Sequence, residues 1–248
     1  MPTKKLRKKQ GIVILLDALG ASAYSEDKIK KFLASRSEIN AGIAELAKTA
    51  PTKSSQVSPS IYTFADTIII TVPFKGKNNI PVQILVTYLL MRRYLFHSFE
   101  KGILFRGAFL IGSYIEDSDS NTVMGEAIND AAQWYDKADW MGVASTPRTN
   151  NALEYYMSPE HLFAPNYILK YPVPIKGSST LDLYCISWPG AFHDKTLLKQ
   201  RKSPRKWFLE IFKDFVFPVQ ATAKFENNKL FYDYVESAIA SLPIEKSS

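Results

Sequence analysis

One cysteine in 248 residues, Cys185, rules out an intramolecular disulfide framework and any zinc cluster built from cysteines. The expected compartment is therefore a reducing one, the cytoplasm. Histidine is nearly as scarce. His97, His161 and His193 are scattered, none at the i, i+4 spacing of a helical metal pair, and are expected at the surface or its boundary. Long hydrophobic runs are missing too: the apolar stretches at 12–16, 68–72 and 85–90 fall far short of the ~20 residues that span a bilayer. Asp17 interrupts the first of them, so the basic start is not expected to lead a signal peptide.

What is present is ordinary globular composition, 46% apolar, 13% aromatic and 22% charged, which excludes disorder, collagen-like repeats and a coiled coil. The net charge of +7 is concentrated. Lys4, Lys5, Arg7, Lys8 and Lys9 supply five of those charges, leaving +2 for the rest. A second basic run, Lys195, Lys199, Arg201, Lys202, Arg205 and Lys206, comes late and contains Pro204. Such runs can track phosphates, but neither is interleaved with the aromatics of a single-strand platform. They read as a solvated tail and a solvated loop, with neither a nucleic acid nor a membrane as partner.

Along the chain, residues 11–16 form a β-branched run ending in Asp17, the pattern of a strand buried on both faces that delivers a carboxylate at its end. Ser25, Glu26 and Asp27 open a helix to about Ala50 with Ile29, Phe32, Leu33, Ile39, Ile43 and Leu46 inward. After a loop over 51–58, residues 61–72 read as a tight hairpin with Asp66 at its tip. Asn79 and Pro81 open a helix that stops at Gly102. A strand is expected over 103–114 and a helix over 125–139, the latter with Ala127, Ile128, Ala131, Ala132 and Tyr135 on its tight side. A short strand near 141–144 and a helix over 146–156 follow. Residues 167–173 and 181–187 read as a strand pair joined by Lys176-Gly177-Ser178. Residues 204–242 are mainly helical in pattern, with Phe208, Ile211, Phe212, Phe215, Leu230, Tyr234, Val235 and Ile239 inward.

This order is βαββαβ: an α+β, ferredoxin-like or palm sheet with helices on one face. Three parts are expected: a basic arm over 1–10, a domain over 11–190, and a basic loop with a mainly helical C-terminal extension over 191–248. Asp17 and Asp66 then sit at the ends of adjacent central strands, roughly 5 Å apart, close enough to share hard divalent cations over a phosphate-bearing substrate.

The residues around this pair resemble a known family. Leu16-Asp17-Ala18-Leu19-Gly20-Ala21-Ser22 is similar to the Asp-Ile-x-Gly-Phe-Ser/Thr signature of class III nucleotidyl cyclases, and Phe64-Ala65-Asp66-Thr67 to their second metal aspartate. Arg106-Gly107-Ala108-Phe109-Leu110-Ile111-Gly112 resembles their Arg-Gly-Gly/Ala strand. Gly125-Glu126-Ala127-Ile128-Asn129-Asp130-Ala131-Ala132 resembles the helix carrying their ribose-contacting asparagine. Four motifs in order cover residues 11–144.

The resemblance implies a class III cyclase domain using two Mn²⁺ or Mg²⁺ ions on Asp17, Asp66 and the Ala18 carbonyl. Asn129 and Arg106 would be catalytic, and Gly20, Tyr62, Thr122 and Gln133 substrate-binding. It also implies a head-to-tail homodimer in which one protomer supplies the metal ligands and the other Tyr62, Thr122 and Asn129. The residues four before the second aspartate and seven before the asparagine read the base in this family. They are commonly Lys and an acidic or small polar residue in purine cyclases, and here they are Tyr62 and Thr122. The ring at Tyr62 narrows the pocket toward a pyrimidine. The compact stand-alone layout resembles the pyrimidine cyclases of bacterial Pycsar antiphage systems. That implies UTP conversion to cyclic UMP, sensed by a separate effector protein, with CTP conversion to cyclic CMP as the alternative. One departure stands out: where many class III cyclases carry an arginine four residues after the asparagine, this chain has Gln133. Arg106 could replace it; otherwise the domain is a catalytically weak palm that holds a nucleotide.

Overall fold

The computed structural model describes residues 6, 8–48, 56–117, 120–162, 164–177, 179–198, 203–213, 215 and 221–242. Most of the basic arm (Lys4, Lys5 and Arg7), the loop over 51–55, Ser178, and Lys199, Arg201 and Lys202 of the second basic run lie outside the described residues.

Strand β1 (Lys8–Ala18) leads to helix α1 (Glu26–Lys48), and a hairpin of β2 (Ser60–Phe64) and β3 (Thr67–Pro73) follows. Next come α2 (Ile80–Glu100), β4 (Phe105–Asp117), β5 (Thr122–Met124), α3 (Glu126–Trp134), β6 (Gly142–Ser145) and α4 (Pro147–Tyr156). The chain closes with α5 (Pro159–Leu162), β7 (Ile168–Ile175), β8 (Ser179–Ile186), α6 (Lys195–Leu198), α7 (Pro204–Phe212) and α8 (Thr222–Ala240). The sheet runs β2-β3-β1-β4-β6-β8-β7, with β5 paired to β4 alone. In the first four strands of that path each is antiparallel to its neighbours, which is the ferredoxin-like palm order expected from βαββαβ. The β4–β6 pair is parallel, so the whole sheet is mixed. Among the described residues no helix is long and apolar enough to cross a membrane.

Helices lie on both faces, not one. Along β1, Ile12, Ile14 and Leu16 join the core under α1 and α2, whereas Val13 and Leu15 join a second core with Ala127 and Ala131 of α3. The alternation of side chains along a strand serves both cores from one sequence. Ile12, Val13, Ile14 and Leu16 are all 0% exposed, each contributing about 1.5–3 kcal/mol of transfer free energy. Helix α3 comes close because β4 carries Gly112 beneath it, where an added Cβ would lie 3.0 Å from that of Ala127.

Several expectations shift in detail. Lys8 to Gln10, read as part of an arm, are strand paired with Ser113 to Ile115. Helix α3 stops at Trp134, short of 139, because Ala138 leaves to bridge Ile175 and the Asp139 N–H donates to the Pro174 carbonyl. Ala132 is exposed on α3, and Ile29 and Leu33 are exposed on α1, where Ala47 is buried instead. In α8 the inward face is Asn228, Phe231, Tyr232 and Val235, while Leu230 and Tyr234 are 58% and 41% exposed. The short β5 is an element the hydrophobic pattern does not announce.

Candidate active site

Asp17 has the same parity as Val13 and Leu15, so its carboxylate emerges on the face that α3 covers, just past the helix end. It stands directly between Thr67 on β3 and Arg106 on β4. Nε and Nη2 of Arg106 both donate to its Oδ2, at 3.0 and 2.9 Å, and the two side chains are 17% and 15% exposed. Burial pushes the Asp17 carboxyl above its usual range. Arg106 opposes that push, and the charges of Asp66 and Asp136 add to it.

Asp66 reaches the same place through the β2–β3 turn. The turn carries Ala65 at φ 50°, and the Ala18 N–H donates to the Asp66 carbonyl at 3.3 Å. From α1, Arg36 Nη1 donates to the Ala65 carbonyl at 2.5 Å. The Asp66 charge adds to burial in raising both Asp17 and Tyr24, the latter on the turn that follows β1. Gly20 opens that turn at φ 76°, and nothing lies within 4 Å of where a Cβ would stand.

Two carboxylates and a nearby main-chain carbonyl are hard oxygen donors, the kind that divalent Mg²⁺ or Mn²⁺ takes. Burial raises Asp17 and the charge of Asp66 adds to it, both of which a cation would offset, so the donors fit such an ion. Among the described residues no group of three or more acidic, histidine or cysteine side chains forms a fuller metal cage.

Four partners around this edge carry no motif in the sequence. The Tyr135 ring lies 5.8 Å from the Arg106 guanidinium. Asp136 follows it, held below its usual range first by a hydrogen bond from Lys176, at 3.0 Å, with Arg106 adding to the effect. The Lys176 N–H donates to the Lys137 carbonyl at 2.9 Å, pinning the β7–β8 turn against this loop. Only a strand pairing beyond 138 brings these residues here, which no local pattern encodes.

Of the two expected base-reading residues, Tyr62 lies elsewhere on the same face. Thr71 opposes Val13, which opposes Leu110, so in a flat sheet Glu116 would lie about 20 Å beyond Thr71. Yet Thr71 Oγ1 donates to Glu116 Oε2 at 2.9 Å, and Tyr62 OH donates to the same oxygen at 3.3 Å. The β1–β4 ribbon must therefore bend, and the paired glycines Gly11 and Gly112 mark the place. Lys9 Nζ closes an ion pair on Glu116, whose side chain is only 7% exposed. Tyr62 is 7% exposed and forms a wall of this polar cluster. Thr122 does not join it: it opposes Asp117, whose side chain alternates to the other face from that of Glu116, and its Oγ1 donates to the Ser120 carbonyl at 3.0 Å. Glu116 was not anticipated from the sequence, because the bend that buries it is invisible there.

Asn129 and Gln133 are both exposed, one turn apart on α3. They lie on the side opposite Ala127 and Ala131, which face the sheet. The thickness of a helix, about 10 Å, separates them from the Asp17 side of their own chain. The structure brings Asp17, Ala18, Gly20, Asp66 and Arg106 together; it sets Tyr62 beside Glu116 but Thr122 on the other face, and it turns Asn129 and Gln133 outward.

No protein-family model matches this chain, and no curated protein does. Among solved structures it is similar to the adenylyl cyclase CyaB from P. aeruginosa, at 12% identity and TM-score 0.45, over 74% of this chain and 96% of that one. It is also similar to the catalytic core of a rhodopsin-guanylyl cyclase with converted specificity in complex with ATPαS, at 10% identity and TM-score 0.47, over 74% and 98%. The palm assignment made above rests on the strand order itself.

Proposed function

We propose that this chain is a nucleotidyl cyclase that converts UTP to 3′,5′-cyclic UMP and pyrophosphate, with CTP its next substrate. The observation that carries the reading is the meeting of Asp17 and Asp66 at one sheet edge, tied by the Ala18 N–H to the Asp66 carbonyl. Asp17, Asp66 and the Ala18 carbonyl would hold two divalent cations, Mn²⁺ or Mg²⁺. Those ions supply Lewis acidity toward the ribose hydroxyl and charge neutralisation at the phosphates.

The chain's own groups do the rest. The open turn at Gly20 lets the substrate approach the backbone. The 3′-oxygen attacks the α-phosphorus as its proton passes to solvent water; the new O3′–P bond forms while the α–β bridging P–O bond breaks and pyrophosphate departs. Arg106, in place of the arginine that Gln133 replaces, offsets charge on the α-phosphate. Tyr62 lines a polar cluster with Glu116, which supports its reading of the base, and its ring favours a pyrimidine; Thr122 is kept as a base contact on the resemblance alone.

Asn129 and Gln133 point away from their own Asp17, so a single nucleotide that uses both draws on two chains. This supports a head-to-tail homodimer with two composite sites. In keeping with the Pycsar resemblance, the product would be an antiviral second messenger read by a separate effector protein.

The test is mass spectrometry of the products from an equimolar mixture of the four NTPs with Mn²⁺. Cyclic UMP as the main product, lost in Asp66→Ala, is the expected outcome. Cyclic CMP in its place moves the specificity to cytidine, and tight NTP binding without any product reduces the domain to a nucleotide-holding palm.

A further inference from the structure

The Arg106 guanidinium already occupies the carboxylate that the proposed reaction needs. Asp17 and Arg106 are direct cross-strand partners, and two N–H groups of the fork converge on one oxygen, Oδ2. This is a charge-assisted contact with both side chains largely out of solvent. A second station lies beside it. The Tyr135 ring is 5.8 Å from the guanidinium carbon, and Asp136, next in the chain, is close enough for the two charges to act on each other. Asp136 is fixed there by Lys176 Nζ at 3.0 Å.

We infer that Arg106 is an internal cation that holds Asp17 until a divalent ion displaces it, and that Asp136 with the Tyr135 ring is the positioning pair that receives it. The inference rests on reading Asp17 and Asp66 as a cation site. Arg106 cannot lose its proton in the working pH range, so only exchange of partners frees Asp17. Moving the guanidinium from Asp17 keeps it beside a carboxylate, Asp136, which it would then share with Lys176. The tyrosine ring offers its face to the cation in either position.

Mn²⁺ binding in the absence of nucleotide, followed by the electron paramagnetic resonance of the free ion, reads this directly. Arg106→Gln removes one positive charge from beside the site and is expected to bind Mn²⁺ about tenfold more tightly than the parent chain. Arg106→Lys retains the charge and should stay near the parent value. Asp136→Asn removes the second station, so it should weaken Mn²⁺ binding severalfold, and that effect should vanish in the Arg106→Gln background. A merely structural role for either residue would weaken binding in both single variants and leave the two effects independent. Unchanged or weaker Mn²⁺ affinity in Arg106→Gln overturns the inference. If the parent chain makes cyclic nucleotide and Arg106→Gln leaves affinity unchanged, the inference alone fails. If Arg106→Gln tightens Mn²⁺ binding but the parent chain turns over no NTP, the lock stands and the cyclase reading falls. Absence of Mn²⁺ binding in every variant removes both.

Discussion

The Arg92 guanidinium is 3% exposed, and Asp194 meets it at 2.6 Å from the far end of the fold. Arg92 also donates to the Asn166 carbonyl at 2.9 Å and stacks its cation on the Tyr167 ring at 4.8 Å. Burial alone would raise the Asp194 carboxyl, but the hydroxyl and main-chain N–H of Thr196, then Arg92, outweigh it and hold it below the usual 3.8. Asp194→Asn leaves a buried charge without its counter-ion and should cost about 3 kcal/mol near neutral pH, measured by urea unfolding. The sign of the pH dependence follows from the depressed value. The ionised carboxylate stabilises the fold above the ordinary pKa, and the parent chain loses that stabilisation as acid protonates it. The gap between parent and variant should therefore be flat down to about pH 5 and close below pH 4.

Glu116 offers a second residue-scale test. Glu116→Gln keeps the shape but removes the charge that Lys9 and the Thr71 and Tyr62 hydroxyls share. It should cost about 1–2 kcal/mol of stability, and in steady-state kinetics it should raise KM for the favoured NTP more than it lowers kcat. Equal loss in kcat and KM for all NTPs would remove Tyr62 from base reading. At this scale the two aspartates are legible because one ends a β-branched run and the other sits at the tip of a hairpin between two such runs. Glu116 and Asp136 are not, since a bend and a distant turn bring them in.

Among elements, α8 does more than cap the core. Asn228 Oδ1 accepts from the Met141 N–H at 2.8 Å, Asn227 Nδ2 donates to the Asp139 carbonyl at 2.8 Å, and Lys224 pairs with Asp139 at 3.4 Å. The helix thus staples the segment that leads from Asp136 into β6. Asn228→Ala strands a main-chain N–H in the interior and should cost about 1–3 kcal/mol. Hydrogen–deuterium exchange should show the faster opening confined to residues 138–142; opening spread evenly over the sheet would mean that α8 acts only through bulk packing. The same asparagine sets the helix phase against the apolar pattern. An apolar count places Leu230 and Tyr234 inward, but burying Asn228 for its hydrogen bond turns the inward face to Phe231, Tyr232 and Val235. Long elements were readable from periodicity, as β1 and α2 are. The side of the sheet that α3 takes was not, because an amphipathic helix says that it packs but not on which face.

For the whole molecule, the decisive geometry is that α3 stands between its outward amide groups and the carboxylate edge of its own sheet. Asp66→Ala removes a cation ligand, and Asn129→Ala removes a ribose contact; under the proposed reading each homodimer has two damaged sites and should be nearly inactive. A heterodimer is different. Two-fold symmetry puts both lesions in one of its sites and leaves the other complete. Mixing the two inactive proteins in equal amounts, with subunit exchange, should therefore restore about a quarter of the parent activity, since half the dimers are mixed and each has one sound site. The recovered rate should rise with total protein concentration, as assembly requires. If the mixture stays as inactive as its components while exchange is verified by mass, both side chains belong to one chain's site, and the outward face of α3 must serve a different contact.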